Sequence, residues 1–387
     1  MRGSRSREAV PEVATAAVVV VLAGLLAAAC ASPAASEVIR TEPVAPSAVG
    51  SSTPAASPTA PAAPGCVVGV SWNLYGEERY AKWDEPGIKQ VVERAGGVLR
   101  SADARASSDQ QSADVDSLVA GGAKVIVVHA QDTSAILPAV QRARSAGVSV
   151  IAYDWLIEDP HVLFVTYDAV ETGRMEARAI LAAKPTGNYA IIKGDPGNAI
   201  SDLQASGIHE ILQPAVDRGD IHVVAETYTK TWDPYYAQTE MTTILGQNAN
   251  RVDAVIAESD GMADGVVIAL RAAGLDGKVS LAGQGGDVAA LNRIALGIQT
   301  VDVWPNPKAL GAAAGEAAVE LCNNPDVGRV GGVKPFASPG GNELYAIQLE
   351  PEAITQANLK DVLEAGWTDR QILCLDVDPA NAPPVCQ

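Results

Sequence analysis

Aromatic residues are scarce in this 387-residue chain, at 4%, and only two of them are Phe. Positive charge is scarce too. Twenty-eight Lys and Arg stand against 46 Asp and Glu, for a formal net charge of −18. That balance excludes the basic footprint that nucleic-acid binding requires, and it disfavours electrostatic attachment to anionic lipid. Five cysteines in a chain of this length are too few for a disulfide scaffold, and about two domains of ordinary size can bury cores without one. The four histidines (His129, His161, His209, His222) are scattered and no cysteine pair has zinc-site spacing, so no metal and no cofactor is expected. Catalytic signatures are missing as well. No strand-like run leads into Gly-x-Gly-x-x-Gly, since Gly283-Gln-Gly-Gly-Asp287 breaks the pattern; there is no Gly-x-x-x-x-Gly-Lys-Ser/Thr, no His-Glu-x-x-His and no Gly-x-Ser-x-Gly. The chain is therefore expected not to be an enzyme. Against the shortage of Phe, the six Trp are conspicuous, and where they sit becomes the leading question.

The first thirty residues read as an address. Arg2, Arg5 and Arg7 precede an apolar run from Ala16 to Ala29 that is too short for a comfortable membrane span and fits a signal-peptide core. Small residues before Cys30 resemble a bacterial lipobox, in which that Cys is lipidated. From Ala31 to Gly65, 23 of 35 residues are Ala, Ser or Pro, which cannot form a core and read as an extended tether. The expected product is an exported, monomeric protein, periplasmic or lipid-anchored on the outer face of the cytoplasmic membrane, touching the membrane through the anchor only. Four cysteines remain beyond the tether (Cys66, Cys322, Cys374, Cys386), an even number compatible with two disulfides.

From Cys66 onward, strand and helix alternate. Nine Val/Ile-rich runs without polar alternation (67–72, 124–129, 148–153, 162–167, 189–193, 221–226, 253–257, 279–283 and 299–304) predict parallel strands covered on both faces. Helical patterns lie between them, as at 134–146, 170–183, 235–245 and 260–273, with Gly147 and Gly274 where C-caps belong. The pattern predicts an α/β fold of two Rossmann-like, doubly wound parallel-sheet lobes of roughly five strands each. Ligands in such folds bind beyond the carboxyl ends of the strands. Those ends carry Trp72, His129, Tyr153-Asp154-Trp155, Trp232, Ser259-Asp260, Asp287 and Trp304, and Trp83 follows the first strand. Five of the six Trp thus map to one predicted cleft, Trp367 being the exception.

Ordered pieces then carry a resemblance: Glu78-Arg-Tyr-Ala-Lys82, Val150-Ile-Ala-Tyr-Asp154, Lys193-Gly-Asp-Pro196, Trp232-Asp-Pro234, Asp253 to Asp260, Gly283-Gln284 and Arg293-Ile-Ala295 with Gln299-Thr300. In order and spacing the chain resembles the type I periplasmic sugar-binding proteins of the ribose/galactose/xylose group, and most of all the D-xylose-binding proteins of ABC importers, from about Val67 to about Gly366. The resemblance implies a hinge of three segments, near Asp168, Pro305 and Gly340. It divides the chain into a signal peptide (1–30), a tether (31–65), a first lobe (66–168 plus 305–338), a second lobe (169–304 plus 339–372) and a tail (373–387). It implies a monosaccharide bound by hinge closure and delivered to an ABC permease.

Sugar hydroxyls demand carboxylates, amides and guanidinium forks, while the ring face stacks on an aromatic. Matched positions make Arg79 a fork donor, Asp154 an acceptor and Trp232 a stacking wall. Tyr80, Trp155, Asn198, Ser259, Asp260, Asp287, Trp72 and Trp304 complete the candidate set. The bland alternatives are an ion pair of Arg79 with Glu78 or Asp84, a helix cap at Asp154 and core packing for Trp232. The chain departs from the sugar binders at Trp155, where they place Arg, and at Ile200, Ser259, Gly285 and either Pro305 or Asn306. A Trp-lined, acidic cleft also suits a cationic or more apolar ligand, since Trp faces attract cations. A sensor passing its ligand state to a membrane receptor is a further alternative. In this topology Cys66 lies at the end of the first lobe far from the cleft, where the helix 310–321 also finishes, which pairs Cys66 with Cys322 and leaves Cys374 with Cys386.

Overall fold

The computed structural model describes residues 65–387, apart from 77, 78 and 197. The expectations for the signal segment, Cys30 and the tether up to residue 64 lie outside the described residues, as does Glu78.

The strands in chain order are β1 (Val67–Trp72), β2 (Val98–Asp103), β3 (Val125–Val128), β4 (Ser149–Tyr153), β5 (Leu163–Tyr167), β6 (Gly187–Lys193), β7 (Ile221–Tyr228), β8 (Ala254–Ala257), β9 (Ser280–Gln284), β10 (Val301–Trp304), β11 (Lys334–Ala337), β12 (Glu343–Leu349) and β13 (Glu352–Ile354). The helices are α1 (Glu85–Arg94), α2 (Ser108–Ala120), α3 (Leu137–Ser145), α4 (Ala169–Ala183), α5 (Ala199–Asp217), α6 (Pro234–Gln247), α7 (Asp260–Ala272), α8 (Val288–Ala295), α9 (Pro307–Asn323), α10 (Lys360–Glu364) and α11 (Arg370–Leu373). They build two sheets. The first runs β11-β12-β5-β4-β3-β1-β2 and the second β13-β10-β9-β8-β6-β7. All pairings are parallel except β11 with β12 and β10 with β13.

The nine runs read from the sequence are nine of these strands. Strands β3, β5 and β8 are buried at every residue, as two-sided coverage by helices demands. The sheets are wider than the roughly five strands expected, at seven and six. The unread strands are β2, whose polar Val-Leu-Arg-Ser-Ala-Asp runs along an exposed edge, β11 and β13 at one edge of each sheet, and β12 beside β11.

The chain crosses between sheets after β5, after β10 and after β12. The third crossing differs from expectation. β12 pairs in parallel with β5 from Tyr345↔Leu163 to Leu349↔Tyr167, so residues 343–349 stay in the first sheet and the chain leaves at 350–351 rather than near Gly340. The reason is an acceptor in the first lobe: Glu158 takes hydrogen bonds from Ser338 Oγ (2.7 Å), Gly340 N (3.0 Å) and Asn342 Nδ2 (2.8 Å), which ties the 338–342 turn to the first lobe.

Cores lie on both faces of each sheet. Helix α9 returns after β10 and packs under the first sheet through Leu310, Ala314, Ala318 and Leu321 against Ile88, Val92 and Ile151. Cys66, at the start of β1, is bonded to Cys322 in the last turn of α9. The chain end packs on α8 through Ile354, Leu359, Val362 and Leu373, and Cys374 is bonded to Cys386 there.

Candidate functional site

At the carboxyl end of the first sheet, a π-helical turn (Tyr80–Asp84) folds back over β1 and places Arg79 beside two carboxylates. Arg79 Nε lies 3.1 Å from Asp84 Oδ2, and Nη2 lies 2.9 Å from Asp154 Oδ2. Asp154, one residue past β4, adopts the left-handed conformation (φ 64°) that aims it at this cluster. Tyr153 donates its hydroxyl to Asp84. Burial pushes the Asp84 carboxyl up to about 6, against the pull of Arg79 and Tyr153. Burial works against the charge on Arg79, but Asp154 and Asp84 outweigh it and hold the guanidinium firmly cationic. His129, at the end of β3, is pushed down to about 4 by burial and stands neutral, with Nε2 3.3 Å from Tyr80 Oη and 4.0 Å from Asp154 Oδ2. Tyr80 stacks on Trp72 at 5.0 Å.

Trp155 leads outward from this cluster. Its ring lies 5.7 Å from that of His129, it is 44% exposed, and it walls a cavity of about 650 Å³ between the sheets. The second sheet supplies the other wall from two loops, one carrying Asp195, Asn198 and Ile200 and the other Thr231 and Trp232. Asn198 caps α5, accepting from Ile200 N at 3.0 Å. Thr231 and Trp232 both have positive φ (53° and 57°), a costly turn held by Thr231 N donating to Asp195 Oδ2 at 2.6 Å. Gly194 makes room for the Trp232 ring: a Cβ there would stand 2.2 Å from Trp232 Cζ2 and Cη2. Leu156, Phe164, Phe336 and Pro339 extend the cavity as an apolar shelf, and Glu158 and Thr133 are its polar edge on the first-lobe side.

The third group of candidates lies at the carboxyl end of the second sheet. Ser259 caps α7, accepting from Met262 N. Asp260 is buried and accepts from Asp287 N at 2.9 Å. Asp287 itself is exposed.

The expected residues therefore separate into roles. Trp155, Asn198 and Trp232 line the cavity. Arg79 and Asp154 meet each other, so the ion pair anticipated for Arg79 with Asp84 is present together with one to Asp154. Three candidates are buried and stand outside the cavity lining. Trp72 is fully buried and donates Nε1 to Glu85 at 2.9 Å; Tyr80 is buried between Trp72 and His129; Trp304 is buried beneath Gly286. Each ends a strand or begins a helix, and the helix folding back covers it. Asp260 is likewise a support for the 284–287 loop and not an open acceptor. Trp83 packs at 5.2 Å on Trp367, which also contacts Trp304 at 6.0 Å, so three Trp form a cluster around the chain end. His129, Tyr153 and Glu158 lie outside the candidate set drawn from the sequence; the first two stand at strand ends, and nothing in the sequence marks the third. Among the described residues, no group of three or more His, Cys, Asp or Glu is arranged to hold a metal ion, and no helix is long and apolar enough to cross a membrane.

The periplasmic binding protein domain family matches residues 68–326. The D-xylose-binding periplasmic protein of Escherichia coli is 31% identical over 291 residues, covering 74% of this chain and 86% of that protein. The D-xylose-binding periplasmic protein of Haemophilus influenzae is 30% identical over 306 residues, covering 79% and 91%. Among solved structures, the Caulobacter myo-inositol binding protein bound to myo-inositol superposes with a TM-score of 0.61 at 26% identity, covering 80% of this chain and 99% of that one.

Proposed function

This chain belongs to the periplasmic binding protein family, with its two-lobe α/β fold, and on that premise we propose that it is the substrate-binding component of an ABC importer for a xylose-like monosaccharide. The observation that carries the reading is the cavity between the sheets with an indole on each side, Trp155 from the first and Trp232 from the second. An aromatic face covers the apolar side of a sugar ring, and Asn198, Asp195 and Glu158 offer amide and carboxylate partners to hydroxyls. Closure about the three crossings brings the Trp155 and Trp232 walls together on the ligand and excludes water. The Arg79–Asp154 pair stands behind Trp155 and opens its fork to a hydroxyl when a ligand competes for Asp154. In this reading the protein binds and delivers, and it carries out no chemistry. It is exported and lipid-anchored through Cys30, and its partner is a membrane permease.

A second reading, a cationic or more apolar ligand, is favoured by one feature: the cavity has two indoles and two carboxylates and no Lys or Arg in its lining. A thermal-shift and calorimetry panel separates the two. D-xylose and related pentoses, hexoses, polyols, nucleosides and quaternary amines are compared at saturating dose. A micromolar ligand at a hundredfold excess stabilises by about 3 kcal/mol. A shift with monosaccharides and none with amines supports the proposal. A shift with amines alone replaces it with the second reading.

A further inference from the structure

Three successive amides of the loop after β9 are held from below. Gly285 N donates to Val303 O at 3.1 Å, Gly286 N to Asp302 (3.2 Å to Oδ1, 3.1 Å to Oδ2), and Asp287 N to Asp260 Oδ2 at 2.9 Å. Gly286 O in turn accepts from Trp367 Nε1 at 2.6 Å. Trp304 fills the space under the loop, where a Cβ on Gly286 would stand 2.3 Å from Trp304 Cδ1. Asp287 is thereby presented at the carboxyl end of the second sheet. Two of the clamping groups are carboxyls with almost no access to water: Asp302 is 0% and Asp260 2% exposed.

The two carboxyls hold successive amides, Gly286 N and Asp287 N, and so stand beside each other and act on each other. Asp260 Oδ1 finds no N–H or O–H donor. Among the described residues no ion pair to either carboxyl is present; the nearest cation, Arg293 on α8, attracts Asp260 but is bonded to Asp264 and to Gln299 Oε1, and its buried Nη2 has no partner. The other charged groups that act on the pair are acidic: Asp287 on the loop, and Glu176 on α4, itself buried close to Asp260 and Glu258. Across the sheet, Asp302 is opposite Gly283 of β9 and Ile354 of β13, neither of which ionises. Two bare carboxylates cannot be kept this close and this dry; one proton between them supplies the missing donor and removes a charge.

We propose that Asp302 is a positioning residue of the ligand site: it shares one proton with Asp260, and the protonated pair clamps the amides of Gly286 and Asp287 and so sets where Asp287 stands against the ligand. The ligand half of this statement rests on the binding function proposed above and on Asp287 standing exposed just past the carboxyl end of β9, outside the cavity lining; the clamp itself does not. Burial pushes Asp260 up to about 6 and, with Asp260 beside it, holds Asp302 well above the usual carboxylate range, so the pair titrates as a unit and keeps its last proton to higher pH than an ordinary carboxylate. Raising the pH removes that proton, leaves two repelling charges under the loop, and loosens it.

The test compares the full chain with Asp302→Asn, which keeps a carbonyl acceptor for Gly286 N and an amide donor for Asp260 but cannot lose a proton. Two measurements run from about pH 6 to about pH 9.5, a span that takes in the values of about 8–9 known for buried carboxyls. The first is hydrogen–deuterium exchange of the peptide covering 284–292 without ligand; comparing the two proteins at matched pH cancels the intrinsic pH dependence. The second is calorimetric affinity for D-xylose. In the unsubstituted protein, exchange accelerates beyond the intrinsic rate at alkaline pH and affinity falls about tenfold, the usual cost of one lost hydrogen bond to a charged partner. Asp302→Asn, with no proton to lose, shows no such change with pH in either measurement. The same alkaline rise in exchange in both proteins, or none in either, overturns the proposal. If D-xylose fails to bind but the exchange difference persists, the clamp stands and the monosaccharide reading falls. Asp260→Asn tests the same pair from the other side if the first variant does not fold.

Discussion

The Cys66–Cys322 bond is the longest cross-link in the protein, and its removal has a calculable consequence. It joins residues 256 apart, so the closed loop contains most of both lobes, leaving out β11 and β12 of the first and β13 with the chain end of the second. In the chain-entropy treatment, a loop of that length removes about 5–6 kcal/mol of unfolded-state freedom at 25 °C, whereas the Cys374–Cys386 loop, 12 residues long, removes about 3. The perturbation is the pair Cys66→Ala and Cys322→Ala, because Cys66 is buried and a Ser there would leave a hydroxyl without a partner. Urea unfolding followed by far-ultraviolet circular dichroism gives the loss, with a Cys374→Ala and Cys386→Ala pair measured beside it. The long cross-link costs more, in roughly that two-to-one ratio. Ligand affinity stays within about twofold. The bond lies at the amino end of β1, about 20 Å along the strand from its cleft end. Equal losses for the two pairs would refute the entropic reasoning. A large fall in affinity would show instead that the bond shapes the native cleft.

Three further outcomes follow from named contacts. Trp232→Ala removes one cavity wall and lowers ligand affinity by about tenfold or more, on the order of 1–2 kcal/mol for a lost aromatic face, as read by calorimetry. Burial raises the Glu258 carboxyl from its ordinary 4.5 to about 8, so the folded state holds a proton that the unfolded state has already released. Stability present below about pH 4.5 is therefore lost as pH rises towards 8, by about 3 kcal/mol at pH 7. Glu258→Gln, which keeps an acceptor for Gly194 N, raises the melting temperature at pH 7 and flattens its decline; unchanged pH dependence would refute this. Gly286→Ala meets Trp304 and needs a left-handed backbone (φ 81°), so it costs on the order of 2 kcal/mol and weakens ligand binding, measured by thermal melting and calorimetry.

Most of the fold was legible because central parallel strands are buried on both faces, and a run such as Val125-Ile-Val-Val128 has no other home. Three of the four edge strands, β2, β11 and β13, were not legible, while β7, the fourth, was. β2 faces water and so carries Arg100, Ser101 and Asp103, which break any apolar run. β11 and β12 form an antiparallel pair whose place is fixed by contacts with Glu158, some 180 residues away in sequence, so the third crossing was misplaced.

The site was legible by position and not by orientation. Trp72 and Trp304 are the last residues of their strands; Trp155 and Trp232 lie beyond the ends of theirs. A residue inside a strand remains sandwiched between the sheet and the helix that follows, so both terminal Trp are swallowed by that helix or by the chain end. Residues past the strand have left that sandwich, and their rings reach the cavity. The same distinction separates Asp154, one residue beyond β4 and partly open, from Asp302, inside β10 and sealed. A carboxylate at a strand end is thus a ligand group only when the chain has already turned. Asp302 has not, and its charge can act on the cleft solely through the backbone of the loop it holds.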